Sequence, residues 1–383
     1  MERVLHISND YAGSKVYMNL ISELDNLNLK QIIYTPLKEQ IKIGSNSIEF
    51  ETIESRIVYS HILNCHLDRI LYRRKIKKIL KDIESKFDFS EISINHAHTW
   101  YSDGGVAYLL HKKYNIPYII TIRNTDLNVF QKYLIHERAF GRNILKNAQN
   151  IILISASYKD RILKEKSLQS IKSNILDKLM IIPNGVDKFW IDNTAHSRKN
   201  INSDKIKCLY VGRFTKGKNV DLLQHAIKEL NHESLNVHLD LVGGGGKDHQ
   251  KVLKIVNENK DIMTYHGQVR DKNTLKEYYK KADIFTMPSS YETFGLVYVE
   301  AMLQGLPILY THDEGIDGFY DEKIGEKIIS NDVVEIKKKL LSLVNNYNEY
   351  AIPTDRLIEN HDWSKIAKKY VYIYKSVKRS IKR

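Results

Sequence analysis

Short apolar runs alternate with longer amphipathic ones along most of the chain, the periodicity of strand–helix repeats. Arg3 to Ile7 reads as a strand, and Ser14 to Leu24 as a helix with Val16, Leu20, Ile21 and Leu24 on one face. A strand at Glu91 to Asn95, a helix from about Ser102 to Tyr114, and strands at Pro117 to Ile122, Ile151 to Ile154 and Leu179 to Ile182 continue the series. Trp190 to Ser203 is polar and without a period, and then the alternation restarts. Cys208 to Val211 and Val237 to Val242 read as strands, with a helix at Val220 to Leu230 between them. Met263 to His266 and a helix near Thr274 to Lys281 follow. Neighbouring parallel strands need a crossover, usually a helix. The pattern therefore predicts an α/β fold of two doubly wound, Rossmann-like parallel sheets facing across a crevice at their strand ends. Residues 1–190 form the first domain and 204–362 the second, with a linker between. A helical pattern in 363–383, with Ile366, Ala367, Tyr370, Tyr374 and Val377 on one face, is expected to pack back on the first domain.

The stretch Asp283 to Leu309 organises the second half. Asp283 to Met287 is a short apolar strand stopped by Pro288-Ser289-Ser290, and Phe294 to Gln304 reads as a helix capped by Gly305. Two acids interrupt it. Glu292 falls in the loop, and Glu300 lies about two turns into a helix whose neighbouring positions are apolar. A carboxylate on a buried helix is costly unless compensated, so Glu300 either forms a structural ion pair or binds ligand hydroxyls.

Turns at strand ends carry the remaining candidates. Gly13 lies in the first strand-to-helix turn, where a glycine lets backbone approach a ligand and the helix start offers free N–H groups to an anion. After the strand ending at Val211, the segment Gly212 to Asn219 brings Arg213 and Lys218 to a helix N-terminus, a pairing that suits a diphosphate. Lys216 competes for that role, and the five-residue offset from Arg213 favours Lys218. The run Gly243 to Gly246 is either a nest of N–H groups or a flexible turn. His96 and His98 share one side of an extended segment; a metal pair lacks a third ligand nearby in sequence, and His98 is better placed as a hydrogen-bonding crevice residue.

Composition narrows the class. The 383 residues carry 59 Lys and Arg against 46 Asp and Glu, a net charge of +13, which implies an anionic partner: nucleic acid, lipid headgroups or phosphorylated substrates. Asn64 to Lys86 is a basic segment in which Leu67, Ile70, Leu71, Ile76, Ile79, Leu80 and Ile83 supply an apolar face, while Arg69, Arg73, Arg74, Lys75, Lys77, Lys78 and Lys81 supply charge. It is a helix packed on a sheet or one that also rests on anionic lipid; no aromatic stacking platform favours nucleic acid. Cys65 and Cys208 suggest no disulfide, the N-terminus has no signal-peptide core, and no apolar run reaches the ~20 residues of a spanning helix. A cytoplasmic protein is the expectation, at the inner membrane face if the basic segment rests on lipid.

Taken together, ETFGLVYVEAM with Glu292 and Glu300, VGRFTKGKN with Arg213 and Lys218, IPNGVD at Ile182 to Asp187, HGQV at His266 to Val269 and ADIFTMPS resemble the retaining glycosyltransferases of family 4, with the GT-B fold. The first half is similar more loosely, through the Gly13 turn, the His98 region and IPYIITIRN. The resemblance implies a retaining transfer of a sugar from a nucleotide-diphosphate donor, a UDP-sugar foremost, to a saccharide or lipid-linked saccharide. A hexosyl or N-acetylhexosaminyl unit and bacterial surface polysaccharide assembly are the implied setting. It assigns catalysis to Glu292, Arg213 and Lys218. Donor binding falls to Gly13, Glu300, Thr293, Phe294, Gly295, Leu296, Gly243 and Asn184, and the sugar or acceptor pocket to His98, Arg123 and Asp126. Where many members carry His after the I-x-x-T-x strand pattern, this chain has Arg123. No D-x-D occurs, so no metal and no cofactor beyond the donor are expected. The rival readings are a non-catalytic nucleotide-sugar-binding subunit, or another enzyme on this scaffold such as an epimerase or phosphorylase.

Overall fold

The computed structural model describes residues 3–64, 67–195, 201 and 205–381. These residues fall into two compact units. The first runs to Ile154 and takes up Tyr158–Gly185 and the segment from His361 onward; the second comprises Ser155–Ser157 and Val186–Asn360. The chain thus passes into the second unit at Val186, before the polar stretch expected to link the domains. Trp190, placed at the start of that stretch by its sequence context, sits on a short helix, Lys188–Asp192, and is buried in the second unit's core. Its indole meets the Tyr279 ring edge-on at 5.4 Å.

The first unit contains the strands β1 (Arg3–Ile7), β2 (Lys30–Leu37), β3 (Arg56–His61), β4 (Ile94–Ala97), β5 (Tyr118–Ile122), β6 (Ile151–Leu153) and β7 (Leu179–Ile181). They form a 7-stranded sheet in the order β3-β2-β1-β4-β5-β6-β7, and every pairing is parallel. Alternate residues on these strands enter opposite cores, as the pleat requires. Leu5, Ile7, Ile120 and Ile122 face one apolar cluster with Ile76, Ile79 and Ile83, while Val4, Ile33, Ile94 and Ile119 face the other. The second cluster is closed by the helix Lys15–Asp25, capped by the Ser14 hydroxyl, and by Trp363, Ile366, Tyr370 and Tyr374 of the C-terminal helix Trp363–Ile381.

The second unit carries β8 (Ile206–Gly212), β9 (Val237–Gly243), β10 (Met263–Tyr265), β11 (Ile284–Thr286), β12 (Ile308–Thr311) and β13 (Gly325–Ile328). They make a 6-stranded parallel sheet in the order β10-β9-β8-β11-β12-β13. Cys208 is buried and unbonded on β8; Cys65 lies outside the described residues.

The basic segment departs from a single helix. It breaks into Leu67–Ile70 and Tyr72–Glu84, because Leu71 leaves the helical region at φ −89°, ψ 71°. The break turns Tyr72 inward, where its hydroxyl donates to Tyr101 O at 2.9 Å. Ile76, Ile79 and Ile83 are buried as expected of an apolar face, but Leu67, Ile70 and Leu71 are not: Ile70 is 76% exposed. No helix among the described residues is long and apolar enough to cross a membrane.

At the end of β9 the glycine run is required by close backbone approach. Gly243 has φ +124°, and a Cβ there would lie 2.0 Å from Gly212 O. Gly243→Ala should therefore cost about 3 kcal/mol or more, whereas Gly267→Ala, at φ +76° with open space around it, should cost only about 1–2 kcal/mol. Thermal melts of the two variants beside the parent check the order.

Candidate functional site

In an open parallel sheet, loops leaving two neighbouring strands diverge where the strand order reverses, and a cleft opens at their carboxyl ends. In the second sheet that point lies between β8 and β11. A cavity of about 440 Å³ opens there, lined by Arg213, Lys218, Glu292, Gly295 and Leu296 among others. Five residues selected from two separate motifs thus meet in one place.

The loops are stitched to each other. Asn219, in the left-handed region at φ +51°, donates through Nδ2 to Pro288 O at 2.7 Å and to Ser290 Oγ at 2.9 Å. Ser290 N donates to Gly217 O at 2.8 Å. From below, Tyr210 Oη donates to Arg213 O at 2.9 Å, and Tyr298 Oη donates to Met287 O. These side chains hold both backbones without using a side-chain atom of Arg213, Lys218 or Glu292. Asn219 ends the VGRFTKGKN segment, so its importance was visible as a motif position but not as a cross-link.

Lys218 Nζ lies 2.5 Å from Glu292 Oε2, with Met287 Sδ at 3.7 Å. Glu292 is fixed at every polar group: its N–H donates to Glu314 Oε2 at 3.0 Å, its carbonyl accepts from Gly315 N at 3.1 Å, and its Oε1 accepts from Thr293 N at 3.0 Å. Gly295, at φ +78°, permits this, since a Cβ there would come within 3.0 Å of Glu292 Cγ. Among the described residues Arg213 has no ion-pair partner, and its side chain is exposed on the cavity wall. Lys216 is also exposed, outside the residues lining the cavity. Phe294 is buried against Phe319 at 5.4 Å, so only its backbone could serve a ligand. The N–H groups of Gly295, Leu296 and Val297 stand at the start of the helix Leu296–Leu303, where the first amides lack intrahelical acceptors.

Glu300 sits farther along that helix. It accepts from Tyr279 Oη at 3.1 Å. Burial pushes its pKa up to about 7, with the Tyr279 hydrogen bond opposing, Asp187 raising it further and Lys272 lowering it. No salt bridge reaches it among the described residues. The structural ion pair that would have explained a buried acid is therefore absent, and the carboxylate is held by one neutral donor.

Gly243 does not offer a free amide. Its N–H donates to Gly267 O at 2.7 Å, Gly244 N donates to Gly212 O at 3.1 Å, and Gly245 N to His249 Nδ1 at 3.2 Å. The nest reading fails because these donors are already satisfied, and so does Gly243 as a donor-binding N–H. Gly13 is corrected for the same reason: its N–H closes a turn onto Asp10 O at 3.0 Å.

In the first sheet the strand order reverses between β1 and β4. His98, expected to hydrogen-bond a ligand, is buried instead. Register sets His6 opposite His96, so a third histidine joins the pair from a strand that spacing could not connect. His6 Nδ1 lies 3.1 Å from His98 Nε2, while the His96 and His98 rings stack at 4.0 Å. His96 is engaged on both sides, by Tyr374 Oη at 2.7 Å and Thr121 Oγ1 at 3.0 Å. Burial lowers all three pKa values, that of His6 to about 3, so the rings are neutral. Their ligand atoms lie within 4.8 Å of one another, but stacked rings direct lone pairs side by side and both nitrogens of His96 are used. The set reads as a polar core. His312, Asp313 and Asp317 also cluster, where Asp317 accepts from His312 Nδ1 at 2.9 Å and Asp313 N at 2.8 Å.

Asp126 is likewise an internal brace. Its carboxylate accepts from Trp100 N, Tyr101 N and Arg123 N at 3.0, 3.0 and 2.9 Å. It is fully buried, which raises its pKa to about 6 against the pull of those three amides. Asp126 is thus withdrawn from the pocket assigned to it. Arg123 donates to His98 O at 3.3 Å and Asn184 Oδ1 at 3.2 Å, and lies 5.0 Å over the Tyr17 ring. Asn184, grouped with the donor residues by its motif, is joined here to Arg123 and, through its carbonyl, to His361 Nδ1 at 2.8 Å.

Known proteins are similar to this chain along most of its length. The Glycosyltransferase Family 4 model matches residues 14–188 and the model for glycosyl transferases group 1 matches 192–370. An uncharacterized glycosyltransferase of Methanocaldococcus jannaschii is 29% identical over 263 residues, 67% of this chain and 66% of that protein. TuaC of Bacillus subtilis, provisionally assigned as a teichuronic acid biosynthesis glycosyltransferase, is 23% identical over 255 residues, 65% of this chain and 60% of TuaC. Among solved structures, sucrose-phosphate synthase from Thermosynechococcus elongatus superposes with a TM-score of 0.74 at 20% identity, covering 99% of this chain and 100% of that one. Anabaena HepE, solved with UDP and glucose, gives 0.67 at 14% identity, over 98% and 100%. At such identities the structural likeness is one of fold, and with the two parallel sheets it makes the fold GT-B.

The Glu300 environment has a pH consequence. An acid whose folded pKa exceeds its unfolded value destabilises the fold progressively as pH rises from about 4.5 to about 7, by at most about 3 kcal/mol. Glu300→Gln should therefore melt above the parent at pH 8, with the gap closing towards pH 4.5. A gap independent of pH would contradict the assignment.

Proposed function

This chain belongs to the family-4-like glycosyltransferases of the GT-B fold, and from that premise we propose a specific reaction. A hexosyl or N-acetylhexosaminyl unit is transferred, with retention, from a nucleotide-diphosphate sugar to a saccharide or lipid-linked saccharide. The UDP bound in the HepE structure favours a UDP-sugar donor, and the name of TuaC favours bacterial surface polysaccharide assembly. The observation that carries the reading is the cavity at the β8/β11 reversal, where Arg213, without an ion-pair partner among the described residues, and a Lys218–Glu292 pair face the same space.

Breaking the bond between the sugar's anomeric carbon and the phosphate oxygen leaves negative charge on the diphosphate and develops positive charge on the ring. Cations already in place at the leaving group lower that barrier without reorganising. Arg213 would fork to diphosphate oxygens and Lys218 would act as a point charge. A diphosphate arriving at Lys218 would share its ammonium with Glu292, leaving that carboxylate beside the sugar. The N–H groups of Phe294, Gly295 and Leu296, with Thr293, would meet sugar hydroxyls or phosphate, and Glu300 would accept from the ribose hydroxyls. In same-face attack the departing phosphate oxygen takes the acceptor's proton. Arg213 and Lys218 supply the charge that a metal supplies elsewhere.

Peripheral contact with an anionic membrane belongs to the same reading. Ile70 and Leu71 are exposed at the break that precedes the helix Tyr72–Glu84, on which Arg74, Lys77 and Lys81 share one exposed face. Apolar anchors ringed by cations are the composition of an interfacial helix.

Arg213→Ala and Glu292→Ala should each lower kcat by about 100-fold or more. Glu300→Ala should instead raise the donor KM by about tenfold with kcat nearly kept, the loss of a hydrogen bond to a charged group. Steady-state assays across a nucleotide-sugar panel check both; unchanged turnover in Glu292→Ala would remove it from the chemistry. Sedimentation with anionic liposomes should show binding at low salt that is lost at high salt and in Ile70→Ser/Arg74→Glu. Binding that ignores salt and both substitutions rules out this helix as the contact.

A further inference from the structure

The helix Lys272–Lys281 of the second unit buries one of its residues, Tyr279. Its ring is held on two sides, edge-on by the Trp190 indole at 5.4 Å and by the Phe285 ring at 5.9 Å. The helix is also tied to the segment that begins the second unit, through the Lys272–Asp187 ion pair and through Lys276 Nζ, which donates to Asn193 Oδ1 at 2.8 Å. Anchoring a helix in this way needs only a ring. The phenol adds a hydroxyl taken into the interior, and such a group is costly unless it finds a partner. Its partner is Glu300 Oε2 at 3.1 Å.

That contact leaves most of the carboxylate unused. Among the described residues no other hydrogen bond and no ion pair reaches Glu300, and the residue keeps part of its surface exposed. An ionised carboxylate has about four acceptor sites, of which one phenol fills one. A glutamate on its own can turn its oxygens in several directions, whereas a donor fixed by two rings and a tethered helix selects one of them. The charged groups facing the carboxylate are Asp187 and Lys272, which are paired with each other and act on it in opposite directions. Burial pushes the Glu300 pKa up to about 7, and the Tyr279 bond works against that by favouring the ionised form. Without the hydroxyl the carboxylate is both less directed and less often charged.

We propose that Tyr279 is a positioning residue of the donor site: its hydroxyl aims the Glu300 carboxylate at the two neighbouring ribose hydroxyls of a nucleoside diphosphate, and so sets a preference for ribonucleotides over their 2′-deoxy counterparts. The assignment deepens the transferase reading and rests on it for the ribose at Glu300, while the link between Tyr279 and Glu300 stands on the packing and the hydrogen bond. Removal of the 2′-hydroxyl leaves the diphosphate and the base unchanged, so a ratio of two affinities isolates what Glu300 does from everything else in the site.

The experiment titrates the full chain with UDP, GDP and ADP, each beside its 2′-deoxy form, by calorimetry from pH 6 to pH 8.5. In the parent at pH 8 the tightest ribonucleotide should bind about tenfold or more tighter than its 2′-deoxy form, with the ratio shrinking towards pH 6 as Glu300 takes up a proton. Tyr279→Phe keeps the ring and should cut that ratio about threefold or more at pH 8, and the ratio should rise only at higher pH than in the parent. In a Glu300→Gln background the same substitution should leave the ratio within about twofold. A purely structural Tyr279 would weaken both nucleotides alike, so an unchanged ratio and an unchanged pH profile in Tyr279→Phe overturn the proposal. Should Tyr279→Phe fail to fold, Trp190→Phe, which withdraws the indole edge from the phenol ring, takes its place with the same expected fall. Binding in the parent without any preference for the ribonucleotide defeats the placing of ribose at Glu300, and failure of all three nucleotides to bind defeats the donor reading itself. A parent preference that survives Tyr279→Phe defeats this inference alone.

Discussion

The ion pair between Lys218 and Glu292 joins loops 74 residues apart in sequence. It exists because β8 and β11 are neighbours at the one place where the second sheet reverses its strand order. Two mostly buried charges are costly to desolvate, and their attraction repays this only when geometry is held tightly. Asn219, Tyr210, Tyr298 and the backbone of Gly315 provide that rigidity from outside the pair. The result is a cavity with positive charge fixed before any ligand arrives, the condition under which electrostatics can act on a leaving group.

The first unit uses polar residues differently. Around β1 and β4 it buries His6, His96, His98 and Asp126, and it keeps the histidines neutral and the carboxylate braced by three amides. The Tyr374 hydroxyl reaches His96 from the C-terminal helix, so the last helix is pinned to the middle of the sheet by a hydrogen bond as well as by apolar packing. Polar groups buried this way specify one docking position, because a displaced helix would leave both partners unsatisfied.

Positive charge is spread unevenly in purpose. Arg213 and Lys218 face one cavity, Lys75 faces another, and Arg74, Lys77 and Lys81 face solvent. Lys75 and Lys77 share a helix yet differ in fate, since 100° per residue separates the side facing Ser102 from the side facing water. A net charge of +13 is therefore several local arrangements, and only the structure tells them apart.

Much of the architecture was legible from local pattern, because hydrophobic period, glycine placement and strand-stop prolines are local properties. The two sets of parallel strands, the apolar positions of Ile76, Ile79 and Ile83, and the motif positions of Arg213, Lys218 and Glu292 could all be read from the chain. What it could not contain was the state of a backbone amide or a carboxylate after packing. Gly13 and Gly243 looked like N–H donors until their turns consumed those N–H groups, and Asp126 looked like a ligand-binding acid until three amides closed on it. His6 joined His96 only through strand register, and Ile70 became exposed only because Leu71 leaves the helix. Composition and spacing determined which chemistry was present; tertiary contacts between residues far apart in sequence decided which groups remained free to use it, since a hydrogen bond already made within the fold is not available to a ligand.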